Sequence, residues 1–122
     1  MALSHAQRRA LGDFGERLAC RRLVSSGLVV LDRNWRCAAG EIDIVARDGA
    51  VVVVCEVKTR SSTRYGTPAE AITSAKATRL HRLGQLWLRE HALPWSTLRV
   101  DVVTVIRHRR GAADVEHIKG VA

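Results

Sequence analysis

The stretch GEIDIVARDGAVVVVCEVKTR, residues 40–60, decides the fold. Two apolar runs flank Asp48-Gly49, a dipeptide suited to a tight hairpin turn, so the spacing predicts strands over 41–46 and 51–59 with 47–50 as the loop. Side chains alternate faces along a strand. Glu41, Asp43 and Val45 then share one face, and Ile42, Ile44 and Ala46 the other. On the partner strand Val52, Val54, Glu56 and Lys58 lie together, opposite Val53, Cys55 and Val57. Pairing Arg47 with Ala50 sets Asp43 against Val54 and Glu41 against Glu56, with all four ionisable groups on one face at the open end of the hairpin.

In that register Asp43 and Glu56 are diagonal neighbours with β-carbons ~7 Å apart or less. A divalent cation with oxygen ligands at ~2.1–2.5 Å fits between two such carboxylates. Opposed acids repel and raise each other's pKa unless a cation neutralises them, and Lys58 or a metal ion is the candidate. The competing reading is a wet strand face whose acids pair with surface arginines, and Glu41 suits it. Val52 and Val54 continue the face of Glu56, however, which predicts a covering helix and favours a site.

Outward from the hairpin, residues 4–26 read as a helix with Ser4 as N-cap, Gly27 as stop, and Leu11, Phe14, Leu18 and Ala19 as its apolar stripe. Residues 28–36 form a first strand. The polar segment 60–67 is a loop, followed by a helix over 68–91 with Thr67 as N-cap, Pro68 in its first turn, and Ile72, Leu80, Leu83 and Trp87 on its buried face. Residues 98–106 are a further strand and VEHIKG a short final one. The expectation is an α/β single domain over 1–122, a mixed β-sheet flanked by helices in the order αβββαβ with a short strand at the end.

The 122 residues carry 20 Lys and Arg against 12 acids, a net charge of +8, with an isoelectric point near 10.7. That balance points to a polyanionic partner, nucleic acid before membrane, since no helix joins a basic face to a strongly apolar one. No apolar run reaches the ~18 residues of a membrane span, and the N-terminal residues lack the apolar core of a secretory signal. Three scattered cysteines, Cys20, Cys37 and Cys55, fit neither a disulfide framework nor a zinc ribbon and suit a reducing cytoplasm. The five histidines show no zinc-ligand spacing, and no phosphate-binding glycine loop is present.

Ile42-Asp43 followed by Glu56-Val57-Lys58 resembles the core of the PD-(D/E)XK nuclease superfamily, without the proline that usually precedes the Asp. The ordered string GDFGERLA, RNWR, GEID, EVKTR, YGTPAEAI, RVDVV and EHI resembles the YraN family of small bacterial proteins over nearly the whole chain. That family is similar in fold to the archaeal Holliday-junction resolvases. The resemblance implies a restriction-endonuclease-like domain and metal-assisted phosphodiester hydrolysis. Asp43 and Glu56 would hold Mg²⁺ or Mn²⁺ with the backbone carbonyl of Val57. Glu16, at the edge of the first helix's apolar stripe, matches the acid that completes such sites, and Gly12 and Gly15 would let that helix approach the sheet. Lys58 would orient the attacking water or stabilise phosphate charge. Lys76, on the inward face of the second helix, would add a phosphate contact. Arg33 and Arg36 around Trp35, and Arg60 and Arg64 beside Tyr65, are the candidate nucleic-acid contacts, with DNA, including branched DNA, as the expected partner. Because the related resolvases are dimers, a homodimer is one assembly to expect. Two other classes compete: a non-catalytic nucleic-acid-binding protein that retains the fold, and a protein-interaction domain that meets an acidic partner.

Overall fold

A computed structural model describes residues 3–61 and 72–121. They form α1 (His5–Ser25), β1 (Val29–Cys37), β2 (Gly40–Asp48), β3 (Val51–Arg60), α2 (Ser74–Glu90), β4 (Thr97–Ile106) and β5 (Asp114–Ile118). The strands lie in one sheet in the order β1-β2-β3-β4-β5. β3 and β4 run parallel, and the other neighbours are antiparallel. This mixed α/β arrangement is the one expected for a restriction-endonuclease-like domain, with the final strand present. Among the described residues no helix is long and apolar enough to cross a membrane.

The two faces of β3 build two cores. Val53 and Cys55 pack with Ala19 and Leu23 of α1, while Val52 and Val54 pack with Leu80, Leu83 and Trp87 of α2. The helix predicted over the Val52–Val54 face is therefore α2, and α1 covers the opposite face. Ser4 caps α1 through a reciprocal pair: the Gln7 N–H donates to the Ser4 hydroxyl at 3.1 Å, and the Ser4 N–H donates to Gln7 Oε1 at 2.8 Å. The buried line of α1 is Gly15, Ala19 and Leu23, with Phe14 and Leu18 only partly covered. At Gly15 a Cβ would overlap the Thr59 hydroxyl, so glycine lets α1 lie directly against β3.

Three details differ from expectation. First, α2 begins at Ser74 with Thr73 as N-cap, in extended conformation, so no single helix runs from 68 to 91. The Thr67 and Pro68 readings lie outside the described residues. Second, the hairpin turn is Gly49-Ala50, with Asp48 opposite Val51, which moves the register by two residues. Gly49 takes the positive φ of 59° that such a turn requires, and Asp48 is retained in the strand by Arg99 at 2.9 Å. Third, Ile42 joins the α2 core beside Val45 instead of sharing a face with Ile44 and Ala46. The β2–β3 pairing ends at Ile44 opposite Cys55, and β2 turns away beyond it.

Candidate metal and phosphate site

The site begins where that ladder ends. Continued in register, the ladder would set Ile42 opposite Val57, yet the Val57 N–H donates to the Asp43 carboxylate at 2.8 Å. A strand residue that donates across a ladder also turns its carbonyl to the same side. Val57 C=O thus faces the gap that β2 leaves open. A shift of two residues preserves which face each side chain takes on β3, so Glu56 remains beside Asp43 despite the altered register. The clash is consequently between Asp43 and Glu56, not between Glu41 and Glu56.

The electrostatics record it. The pKa of Asp43 is pushed up to about 7, first by burial and then by the neighbouring carboxylates of Glu56 and Glu16; the Val57 N–H opposes the shift. Lys76 reaches from α2 and pairs with Glu56 at 3.1 Å. Lys58 lies against Lys76, and its pKa falls because of burial first and the second ammonium next. Burial works against the Lys76 charge, but Lys58 and Glu56 together raise its pKa. The result is a carboxyl pair and a lysine pair meeting at the fork of β2 and β3.

Close packing at Gly15 brings the adjacent Glu16 to this fork. Its side chain is only 15% exposed, with Arg33 of β1 at 3.6 Å, and its Oε1 is buried with no hydrogen-bond partner. A cleft of about 520 Å³ runs along the site, lined by Glu16, Asp43, Val57 and Lys58 together with Arg8 and Arg60. Arg8 was not legible as a lining residue, although Arg8, Gly12 and Glu16 recur every four residues and so share one side of α1.

Other expected contacts are placed elsewhere. Glu41 pairs with Arg36 across β1 and β2 at 3.1 Å, both well exposed, as the surface reading of Glu41 anticipated. Arg33 is engaged by Glu16, so both arginines around Trp35 face acids. Trp35 itself packs against the α2 core and donates its indole N–H to Glu90 at 2.6 Å. Arg64 and Tyr65 lie outside the described residues.

Among the described residues no three Asp, Glu, His or Cys side chains form a group that could hold a metal ion. Two carboxylates and a backbone carbonyl do meet here, next to Glu16 Oε1, which faces Arg33 at 3.6 Å and has no hydrogen-bond partner. Mg²⁺ is commonly held by one or two carboxylates, with water and substrate phosphate completing its shell. The donor set therefore fits such an ion.

Comparison with known proteins agrees with the YraN-like string. The model of a family described as "Uncharacterised protein family UPF0102", the YraN family, matches residues 15–105. A UPF0102 protein of Nocardioides sp. is 54% identical over 95% of this chain and 94% of its own length. One from Beutenbergia cavernae is 54% identical over 92% of this chain and 95% of its own. One from Kineococcus radiotolerans is 54% identical over 93% of each.

Proposed function

The chain belongs to the UPF0102 family, and from that premise we propose that it is a metal-dependent nuclease that hydrolyses phosphodiester bonds of nucleic acid, DNA foremost. One observation carries the reading. Asp43 is built into a broken ladder beside Glu56 with its pKa raised to about 7, and Lys58 lines the same cleft. Strained carboxyl pairs of this kind concentrate at catalytic sites.

Asp43 and Glu56 would hold Mg²⁺ or Mn²⁺ with the Val57 carbonyl, and Glu16 would reach the ion or its waters. The bound ion supplies Lewis-acid polarisation of a phosphate oxygen. Lys58, part-buried and with a lowered pKa, orients the attacking water or donates to the developing phosphate charge. Lys76 pairs with Glu56 and positions it, and an incoming phosphate competes for the same ammonium. The free thiols Cys20, Cys37 and Cys55 suit a reducing compartment, and we place the protein in the cytoplasm.

The test is incubation with labelled single-stranded, duplex, flap and four-way-junction DNA, in Mn²⁺ or in chelator. Cleavage should require the metal and vanish in Glu56→Ala and Lys58→Ala. Full activity in both variants overturns the assignment. A second reading, a nucleic-acid-binding protein that keeps the fold without catalysis, is favoured by Lys76 already neutralising Glu56. It requires DNA binding that persists in chelator with no strand cut in any metal.

A further inference from the structure

The arginines fall into two groups. Arg33, Arg36 and Arg99 each have a carboxylate within ion-pairing distance. At the carboxyl ends of β3 and β4 the arginines have no ion-pair partner among the described residues, and Asp114, opposite Ile106, is taken by His108. Arg60 closes β3, and its guanidinium donates to the carbonyl of neighbouring Thr59. Arg107 follows β4; its N–H donates to the Arg60 carbonyl at 2.8 Å and its guanidinium lies over the Phe14 ring of α1 at 5.6 Å. Arg109 and Arg110 occupy the turn from β4 to β5, and Arg8 lines the cleft beside Lys58 and Arg60. All five are exposed, and among the described residues no ion pair involves any of them.

The turn that carries Arg109 and Arg110 is pinned. Ile106 pairs with Asp114 at its base, His108 Nε2 lies 2.8 Å from Asp114 Oδ2, and Gly111 takes a φ of 85°. Cations fixed at one end of a sheet and outside any ion pair repel one another, and a polyanion relieves that repulsion. Planar guanidinium forks suit phosphate oxygens. Adjacent strands lie ~4.8 Å apart, so the ends of β3, β4 and β5 spread these groups over roughly 10 Å. The Phe14 ring beside the strip is itself covered by Arg107.

We propose that the β4–β5 turn, with Arg60 and Arg8, is a phosphate-binding strip that grips the backbone of duplex DNA beside the catalytic cleft. The identity of the polyanion rests on the nuclease reading; the geometry of the strip does not. Contact is to backbone alone and independent of sequence.

The experiment is fluorescence anisotropy of a labelled duplex in chelator over a salt series. It compares the wild type, the double variant R109Q/R110Q, and R82Q/R89Q, which removes equal charge from the exposed side of α2. Each lost phosphate contact lowers the slope of log K against log salt by about 1. R109Q/R110Q should reduce the slope by about 2, and R82Q/R89Q should leave it unchanged. An unchanged slope in R109Q/R110Q, or equal losses in both double variants, overturns the strip. Wild-type binding to phosphatidylserine vesicles but not to duplex also overturns it. Cleavage by wild type and Glu56→Ala, measured on the same preparations, decides the nuclease reading separately: the strip can fail while metal-dependent cleavage stands, and the reverse.

Discussion

Asp43 and Asp101 stand on either side of β3, one on β2 and one on β4, and they solve the burial of a carboxylate in opposite ways. Asp101 is 0% exposed and accepts four hydrogen bonds: from Arg99 at 2.8 and 2.9 Å, from His117 at 2.7 Å and from the Gly120 N–H at 2.9 Å. Burial alone would raise its pKa, yet Arg99, the Gly120 N–H and His117 bring it below the usual range. Asp43 receives one backbone N–H and has Glu56 and Glu16 for neighbours. With 20 basic residues in the chain, Asp43 is not left short for want of cations. The burial of Asp101 is compensated by the donors around it; Asp43, with one donor, retains capacity for a ligand. Cys55 of β3 lies between the two, and its thiol is pushed up by burial first and then by both aspartates.

The sharpest way to break this contrast is Asp43→Asn. It should reduce metal-dependent cleavage by about 10³-fold or more, on the order of 4 kcal/mol of transition-state stabilisation, while leaving the urea midpoint unchanged or higher. A drop in stability with cleavage retained would make Asp43 a structural residue like its counterpart. Asp101→Ala should do the reverse. Removing one partner of a buried ionic cluster costs about 3 kcal/mol, seen as a lower urea midpoint, while activity per folded molecule persists. Gly15→Ala should cost about 2 kcal/mol, because the new Cβ meets Thr59 and α1 must shift. That shift also moves Glu16 from the fork, so cleavage should fall further than stability explains, as judged by activity per folded molecule.

Much of this was legible in the sequence, and the exceptions are instructive. Alternation along 40–60 identified the strands, the face of Glu56 and Lys58, and the helix covering Val52 and Val54, because periodicity is local. The turn was misplaced since both Asp48-Gly49 and Gly49-Ala50 satisfy local turn chemistry; the observed register sets Asp48 beside Arg99, 51 positions away and across the sheet, a contact local reading does not reach. The ladder break at Asp43 was invisible because a side chain there replaces a backbone acceptor. The acids that face Arg33 and Arg36, Glu16 and Glu41, come from other elements and were not legible beside them. Asp101, within the strand-like RVDVV, gives no local sign of a partner as distant as His117.

The smallest predicted effect tests the contrast through pH in the metal-free protein. Asp43 has a folded pKa raised from 3.8 to about 7. Its proton stabilises the folded state fully below the unfolded value, and that contribution is lost as pH rises through about 7. The slope is at most about 1.4 kcal/mol per pH unit for one proton. Asp101 has a lowered pKa, so its contribution is present above 3.8 and lost as pH falls through its folded value. Urea midpoints of wild type and Asp43→Asn, compared between pH 4 and 8, should diverge in favour of the variant as pH rises. Mn²⁺ should close the gap by stabilising the ionised wild-type site, because an ion that binds only the folded, deprotonated form shifts both equilibria together. Parallel curves in chelator would mean that Asp43 titrates like an ordinary surface acid, and the opposition between the two aspartates would collapse.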